Sequence, residues 1–81
     1  MVLFSVGSLL PKLKYRRVLG EAIRAFRKQA GLSQEKLAEK ADLHPVYVSA
    51  VERGVKTISM DALVRIAKAL QVRVQNLVKS F

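Results

Sequence analysis

The side chains that most often perform chemistry in proteins are scarce in this chain. It has one histidine, His44, and no cysteine, so thiol catalysis and disulfides are excluded and a metal site lacks ligands. Glu21 and Asp61 are far apart and lie in predicted first helical turns, where a negative charge favours the helix dipole. No nucleophile, base and orienting residue can be grouped. The sequence therefore predicts a protein that is not an enzyme and that carries no cofactor and no metal.

The chemistry that the chain does offer is electrostatic binding of a polyanion. Its 15 Lys and Arg residues against 6 Asp and Glu give a net charge of +9 and a pI near 10.5. Every acidic residue lies between positions 21 and 61, so both ends of the chain are purely basic. This balance favours a nucleic acid or an anionic membrane surface as the partner.

Length and apolar content limit the elements that can present this charge. The 81 residues leave room for one domain, and a hydrophobic fraction of 51% is enough for a core. The apolar residues 1–10 precede the first bases, the reverse of a secretory signal, and are too few to cross a bilayer. We expect residues 15–81 to form the folded domain. Residues 1–14 form an N-terminal extension: a packing strand, a disordered tail, an upstream extension of the reading frame or, less favoured, a membrane-surface arm.

Hydrophobic spacing predicts an all-α fold, a compact bundle of about five short helices that contains a helix-turn-helix. Apolar residues three and four positions apart define a first helix over residues 17–30, which Gly31 ends as a C-cap glycine does. Ser59 suits the N-cap of a fourth helix, and residues 74–78 predict a short fifth helix. No strand pattern competes with these helices.

The second and third helices form a pair joined by a tight turn. Ser33 is a good N-cap for the second helix, which ends near Ala41, and Pro45 favours the start of a third helix that runs to Arg53. The small Ala38 lets the two helices cross closely. Two short helices joined by about three or four residues are the architecture that inserts one helix into the DNA major groove. A plain helical hairpin with an apolar seam is the alternative.

Four short stretches carry a specific resemblance to a known family. They are Arg27 four residues before Gly31, the run 32–38, the VERG sequence at 51–54 and the IAKAL sequence at 66–70. Over residues 18–79 the chain resembles the lambda-repressor-like, Cro/Xre-type helix-turn-helix family. Within it the resemblance is nearest to the restriction-modification controller proteins, which are small dimeric regulators. This implies a cytoplasmic, nucleoid-associated transcription regulator that binds double-stranded DNA with sequence specificity.

The resemblance also implies roles for individual residues. The recognition helix, residues 45–53, is expected to lie in the major groove and to read base edges with His44, Val46, Tyr47, Ser49 and Ala50. Contacts to DNA phosphates are expected from Gln34, Arg53, Lys56 and Thr57. Arg27 and Glu52 correspond to the family's internal ion pair, which links the first helix to the recognition helix and is structural.

Several residues depart from the family pattern. Pro45 and Val46 stand where relatives generally place polar or basic residues, so apolar contact with thymine methyl groups and the shape of the DNA must carry more of the specificity. Asp42 and Gln71 stand where the family commonly has glycine. Aspartate tolerates the turn geometry at modest cost but places a negative charge near the DNA.

A single helix-turn-helix domain contacts too few base pairs to be selective in a genome, so we expect a homodimer on a palindromic operator. The residues predicted for the dimer interface are Val74, Leu77, Val78 and Phe81. One alternative is an antitoxin-like DNA-binding protein whose toxin partner contacts residues 1–11. Another is a module that coats a membrane surface or nucleic acid without sequence preference. No small-molecule substrate is predicted.

Overall fold

The structure is a computed structural model that describes the backbone of residues 2–79 and the side chains of residues 14–79. The described residues form helices and no strand, which confirms the predicted all-α class. None of these helices is both long enough and apolar enough to traverse a membrane. In chain order the helices are α1 (Val2–Gln29), α2 (Gln34–Ala41), α3 (Pro45–Glu52), α4 (Met60–Leu70) and α5 (Val74–Val78).

Short polar side chains determine where the helices begin. Ser33 Oγ accepts a hydrogen bond of 3.0 Å from the backbone N–H of Lys36, and Ser59 Oγ accepts one of 3.1 Å from that of Ala62. Both serines are therefore the N-caps that the sequence predicts. At the other ends, Asp42 and Gln71 adopt left-handed backbone with φ of 56° and 60°. Glutamine tolerates this conformation less well than aspartate.

The first helix begins much earlier than the hydrophobic spacing predicts. The pattern places its start at residue 17, whereas α1 spans Val2–Gln29. Leucine has good helix propensity, and Pro11 lacks one backbone donor but does not end the helix. The division into an N-terminal extension at 1–14 and a domain at 15–81 stays a prediction.

The core lies where the short helices pack against the second half of α1. α2 packs against α3 and α4, while α1 contacts α3, α4 and α5. Complete burial of an aliphatic side chain contributes about 1.5–3 kcal/mol. The largest side chains that are fully buried are Ile23, Leu37, Ile66, Leu77, Val48 and Val51.

The burial of Leu77 corrects the predicted dimer interface. Its exposed fraction is 0% in the single chain, so its side chain belongs to the core and has no surface for a second copy to contact. An apolar residue near a chain end has the same sequence pattern in both roles, which is why the assignment of Leu77 was wrong. Val74 and Val78 are half-buried against the core, and Phe81 lies outside the described residues.

Candidate nucleic-acid interface

The turn between α2 and α3 is closed by the single histidine. His44 is the N-cap of α3, and its Nδ1 accepts a hydrogen bond of 3.1 Å from the backbone N–H of Val46. Pro45 occupies the first turn, where its missing N–H costs nothing. Because Nδ1 accepts, the neutral ring carries its proton on Nε2. His44, predicted to read base edges, thus caps the helix with one nitrogen and can donate a hydrogen bond with the other.

A buried ionic network holds the inner side of α3. Glu52 is 6% exposed, and its carboxylate accepts hydrogen bonds from Arg27 Nε at 2.7 Å and Arg27 Nη2 at 3.0 Å. Arg27 Nη1 also donates to the backbone oxygen of Leu32 at 2.9 Å. The two side chains that the family resemblance pairs are therefore in contact, and they join α1 to α3 by a bidentate ion pair.

The network also raises the pKa of Arg27. The hydrogen bond that Arg27 donates to Glu52 raises the pKa of Arg27, burial lowers it, and the charge of Glu52 raises it further, with a net increase. A base whose pKa is raised by folding stabilises the folded state at every pH below its unfolded pKa. The contribution of Arg27 is therefore kept at every pH below its ordinary pKa at which the Glu52 carboxylate that causes it is charged.

Gln34, predicted to contact phosphate, takes part in the same network. Its Nε2 donates a hydrogen bond of 3.0 Å to Glu52 Oε1. The side chain is half-buried at the first residue of α2. The side-chain amide has two N–H groups, and the one that is not donated to Glu52 can donate a hydrogen bond to a phosphate. A free backbone N–H in the first turn of α2 is a further donor of the kind that anions bind at helix N-termini.

Gly20 is a positioning residue that the sequence analysis did not single out. A Cβ at residue 20 would lie 2.4 Å from the carbonyl oxygen of Val51 and 2.6 Å from that of Glu52. Backbone atoms cannot yield to such contacts as a flexible side chain can, so α1 and α3 cross at this distance only because residue 20 is glycine. The available signal was a glycine inside an otherwise regular helical pattern, which often has a packing reason.

The outer side of α3 displays only part of the predicted base-reading set. Val46 is 66% exposed and His44 is also exposed, whereas Ser49 and Ala50 are half-buried. Tyr47 packs partly against the core, and its hydroxyl accepts a hydrogen bond of 3.2 Å from the backbone N–H of Ser59. Tyr47 thereby anchors the loop before α4.

The predicted phosphate-binding residues other than Gln34 follow one another at the end of α3. Arg53, Lys56 and Thr57 are all exposed. Lys56 Nζ lies 5.9 Å from the centroid of the Tyr47 ring, within range of a cation–π interaction. A positive charge therefore lies close to the end of α3. Residues 14–79 contain no cluster of acidic or histidine side chains suited to a metal ion.

Comparison with known proteins places this geometry in a family. The family model described as helix-turn-helix matches residues 23–77, which include α2, the turn and α3. The chain belongs to the helix-turn-helix family. The matched residues include Arg27, Gln34 and Glu52, so the whole buried network lies within the region that this helix-turn-helix protein shares with the family.

Individual relatives include restriction-modification regulators. Control protein C.BamHI of Bacillus amyloliquefaciens is 41% identical over 63 residues, which are 76% of this chain and 78% of that protein. The crystal structure of the controller protein C.AhdI of Aeromonas hydrophila matches with a TM-score of 0.76 and 35% identity, over 76% of this chain and 94% of that one. The biofilm regulator SinR, crystallised with DNA, matches at 0.70 and 35%, over 73% and 95%. The predicted resemblance to controller proteins is confirmed.

Proposed function

We propose that this protein binds double-stranded DNA as a homodimeric transcription regulator, with α3 in the major groove of a palindromic operator. The observation that carries the proposal is the charge distribution around α3. Between residues 42 and 57 the acidic residues are Asp42, which is exposed in the turn before α3, and Glu52, which is buried and paired with Arg27. The outer side of α3 and the loop after it therefore present no negative charge to a phosphate backbone.

The outer side of α3 divides into positions for bases and positions for phosphates. Val46 is suited to apolar contact with a thymine methyl group, and His44 can donate a hydrogen bond from Nε2 to a guanine acceptor or a phosphate. Ser49 and Ala50 line the same side at lower exposure. Arg53, Lys56 and Thr57 position the helix by contacting phosphates. Because few polar groups reach the bases, the shape of the DNA carries a larger share of the specificity.

The homodimer rests on the size of the domain and on α5. One α3 contacts too few base pairs for selectivity, and two copies related by a two-fold axis read a palindrome. After Leu77 is assigned to the core, Val74 and Val78 are the described residues that remain for the dimer contact. Both pack partly against the core and keep part of their surface exposed.

Selection of bound duplexes from a random DNA library tests this function. At about 150 mM salt, non-specific binding through counterion release is weak, so enriched sequences report on base and shape readout. We expect an inverted repeat whose half-site centres are about one helical turn apart. A Val46→Asp variant should lose the enrichment, whereas Ala25→Asp, which places the same charge at an exposed site on α1, should keep it. Recovery of no preferred sequence from the unaltered protein would contradict the proposal.

A further inference from the structure

A cavity lies between α1 and the loop that joins α3 to α4. It has a volume of about 330 Å³, which is within the range of small-molecule sites. Its walls come from three parts of the chain: α1, the end of α3 and residues 56–58 of the loop. The residues of interest in its lining are Arg16, Leu19, Val51, Lys56, Thr57 and Ile58.

Two close approaches of the backbone hold α1 against the end of α3 and the residue that follows it. At one, Gly20 of α1 meets the end of α3, as described above. At the other, Gly54 has a φ of 75°, and a Cβ there would lie 3.0 Å from the Cα of Arg17. Residues 56–58 of the loop that follows contribute to the lining of the cavity. These backbone contacts fix the spacing of α1 and α3 beside the cavity.

The lining combines an apolar surface with positive charge. Leu19, Val51 and Ile58 supply aliphatic contacts, while Arg16 and Lys56 are cationic. No acidic side chain is among the described residues that line the cavity. An apolar pocket with a few convergent polar groups is typical of a ligand site, and two unopposed cations select a negative charge.

We propose that this cavity binds a small amphipathic carboxylate. The apolar part of the ligand packs against Leu19, Val51 and Ile58, and its carboxylate is held by Arg16 and Lys56. A guanidinium is suited to bidentate recognition of a carboxylate, whereas the lysine adds a point charge.

The position of Lys56 and Thr57 gives the ligand a regulatory effect, a step that rests on the proposed function. Both line the cavity, and both are among the proposed phosphate contacts. A carboxylate bound to Lys56 neutralises the charge that a phosphate requires. The ligand therefore weakens DNA binding, and DNA weakens ligand binding by the same factor. The carboxylate acts as an inducer that releases the operator.

A titration of the full-length protein without DNA tests the site itself. Octanoate, added to ¹⁵N-labelled protein, should shift the amide signals of Leu19, Val51 and Ile58. Octan-1-ol, which lacks the charge, should bind about tenfold more weakly. The Arg16→Gln variant should lose about tenfold in octanoate affinity, and Arg24→Gln, the same change at an exposed site on α1 outside the cavity, should lose none. Circular dichroism verifies that both variants fold.

Other occupants give different results in the same experiment. Equal shifts with inorganic phosphate would indicate an anion site without an apolar part and would overturn the proposal. Shifts at these amides on dilution of the protein alone would assign the cavity to a second copy, and they too would overturn it. If octan-1-ol binds as tightly as octanoate, or if both arginine variants lose octanoate affinity equally, Arg16 does not hold the carboxylate.

A second measurement tests the coupling to DNA. Saturating octanoate should lower the affinity of the unaltered protein for its selected operator severalfold, and Arg16→Gln should reduce this effect. If octanoate shifts the cavity amides but leaves DNA affinity unchanged, the regulatory step is wrong and the site stands. If the protein binds no DNA at all, the proposed function fails while the titration still decides the site.

Discussion

The two sides of α3 differ in how firmly their residues are held. On the inner side, Val51 is buried, Glu52 accepts hydrogen bonds from two other helices, and the α1 backbone approaches at Gly20. On the outer side, Val46 projects into solvent and His44 is held by one hydrogen bond to the backbone. The inner side therefore sets the orientation of the helix, and the outer side can vary without disturbing it.

With the DNA-binding function that we propose, this difference would let one scaffold bind different operators. The chain keeps its fold in common with C.AhdI at 35% identity, which leaves most positions free to differ. Under the proposed function, changes on the outer side alter what α3 reads at little cost in stability, since exposed substitutions usually change stability by less than about 0.5 kcal/mol. Substitutions on the two sides should accordingly separate stability from DNA affinity.

The largest effect is expected from Glu52→Ala on the inner side. It leaves the Arg27 guanidinium buried without its partner, which costs about 3–5 kcal/mol. Urea denaturation followed by circular dichroism measures the loss, and DNA binding should fall with the folded fraction. The double variant Arg27→Met, Glu52→Met is the control, because replacing both charges with apolar groups is often neutral or stabilising. A Glu52→Ala protein as stable as the original would show that the network does not hold α3.

A smaller loss is expected from Gly20→Ala. Glycine to alanine inside a helix normally stabilises by roughly 0.5–1 kcal/mol. Here the added methyl group meets the carbonyl oxygens of Val51 and Glu52, so α1 and α3 must separate, and overpacking of this kind costs about 1–3 kcal/mol. The same denaturation experiment shows whether Gly20→Ala raises or lowers the free energy of unfolding. Arg24→Ala, at an exposed position of α1, should change stability by less than about 0.5 kcal/mol. A stabilised Gly20→Ala protein would refute the close crossing.

Residues with a local signal were predicted correctly from the sequence. Ser33 and Ser59 cap their helices because a serine oxygen next to a free backbone N–H is a local arrangement. The predicted start of the third helix at Pro45 is likewise where α3 begins, because the fixed φ of proline suits the first helical position. The contact between Arg27 and Glu52, 25 residues apart, came from the family resemblance, because no local rule pairs distant side chains.

Features that depend on distant parts of the chain were missed. A glycine inside the α1 pattern indicates that something packs closely there, but the pattern does not show that the backbone of α3 is what approaches residue 20. Leu77 was misassigned because helical spacing shows that a residue is apolar but not which surface covers it. The cavity beside Lys56 likewise exists only once the loop has been placed against α1.

His44 lies where the two sides meet, so its two nitrogens can be tested separately. His44→Ala removes the N-cap and should cost about 1 kcal/mol in stability. His44→Asn keeps a good cap and should restore that stability, while DNA affinity stays reduced because the Nε2–H donor is gone. Denaturation and operator titration of the same samples separate the two effects. Full recovery of DNA affinity in His44→Asn would mean that Nε2 makes no contact with DNA.

Lys56→Gln should have the smallest effect on the fold and a clear effect on binding. Lys56 is exposed, and its ammonium group lies near the Tyr47 ring, so stability should change by less than about 0.5 kcal/mol. Loss of one phosphate contact should reduce the slope of log affinity against log salt by about 0.9. Lys68→Gln on α4 removes the same charge at another exposed site and should leave the slope unchanged. If both variants lower the slope equally, net charge and not position governs binding, and the assignment of the α3–α4 loop to the phosphate backbone fails. If Lys56→Gln alone does so, the loop after α3 is in contact with the DNA.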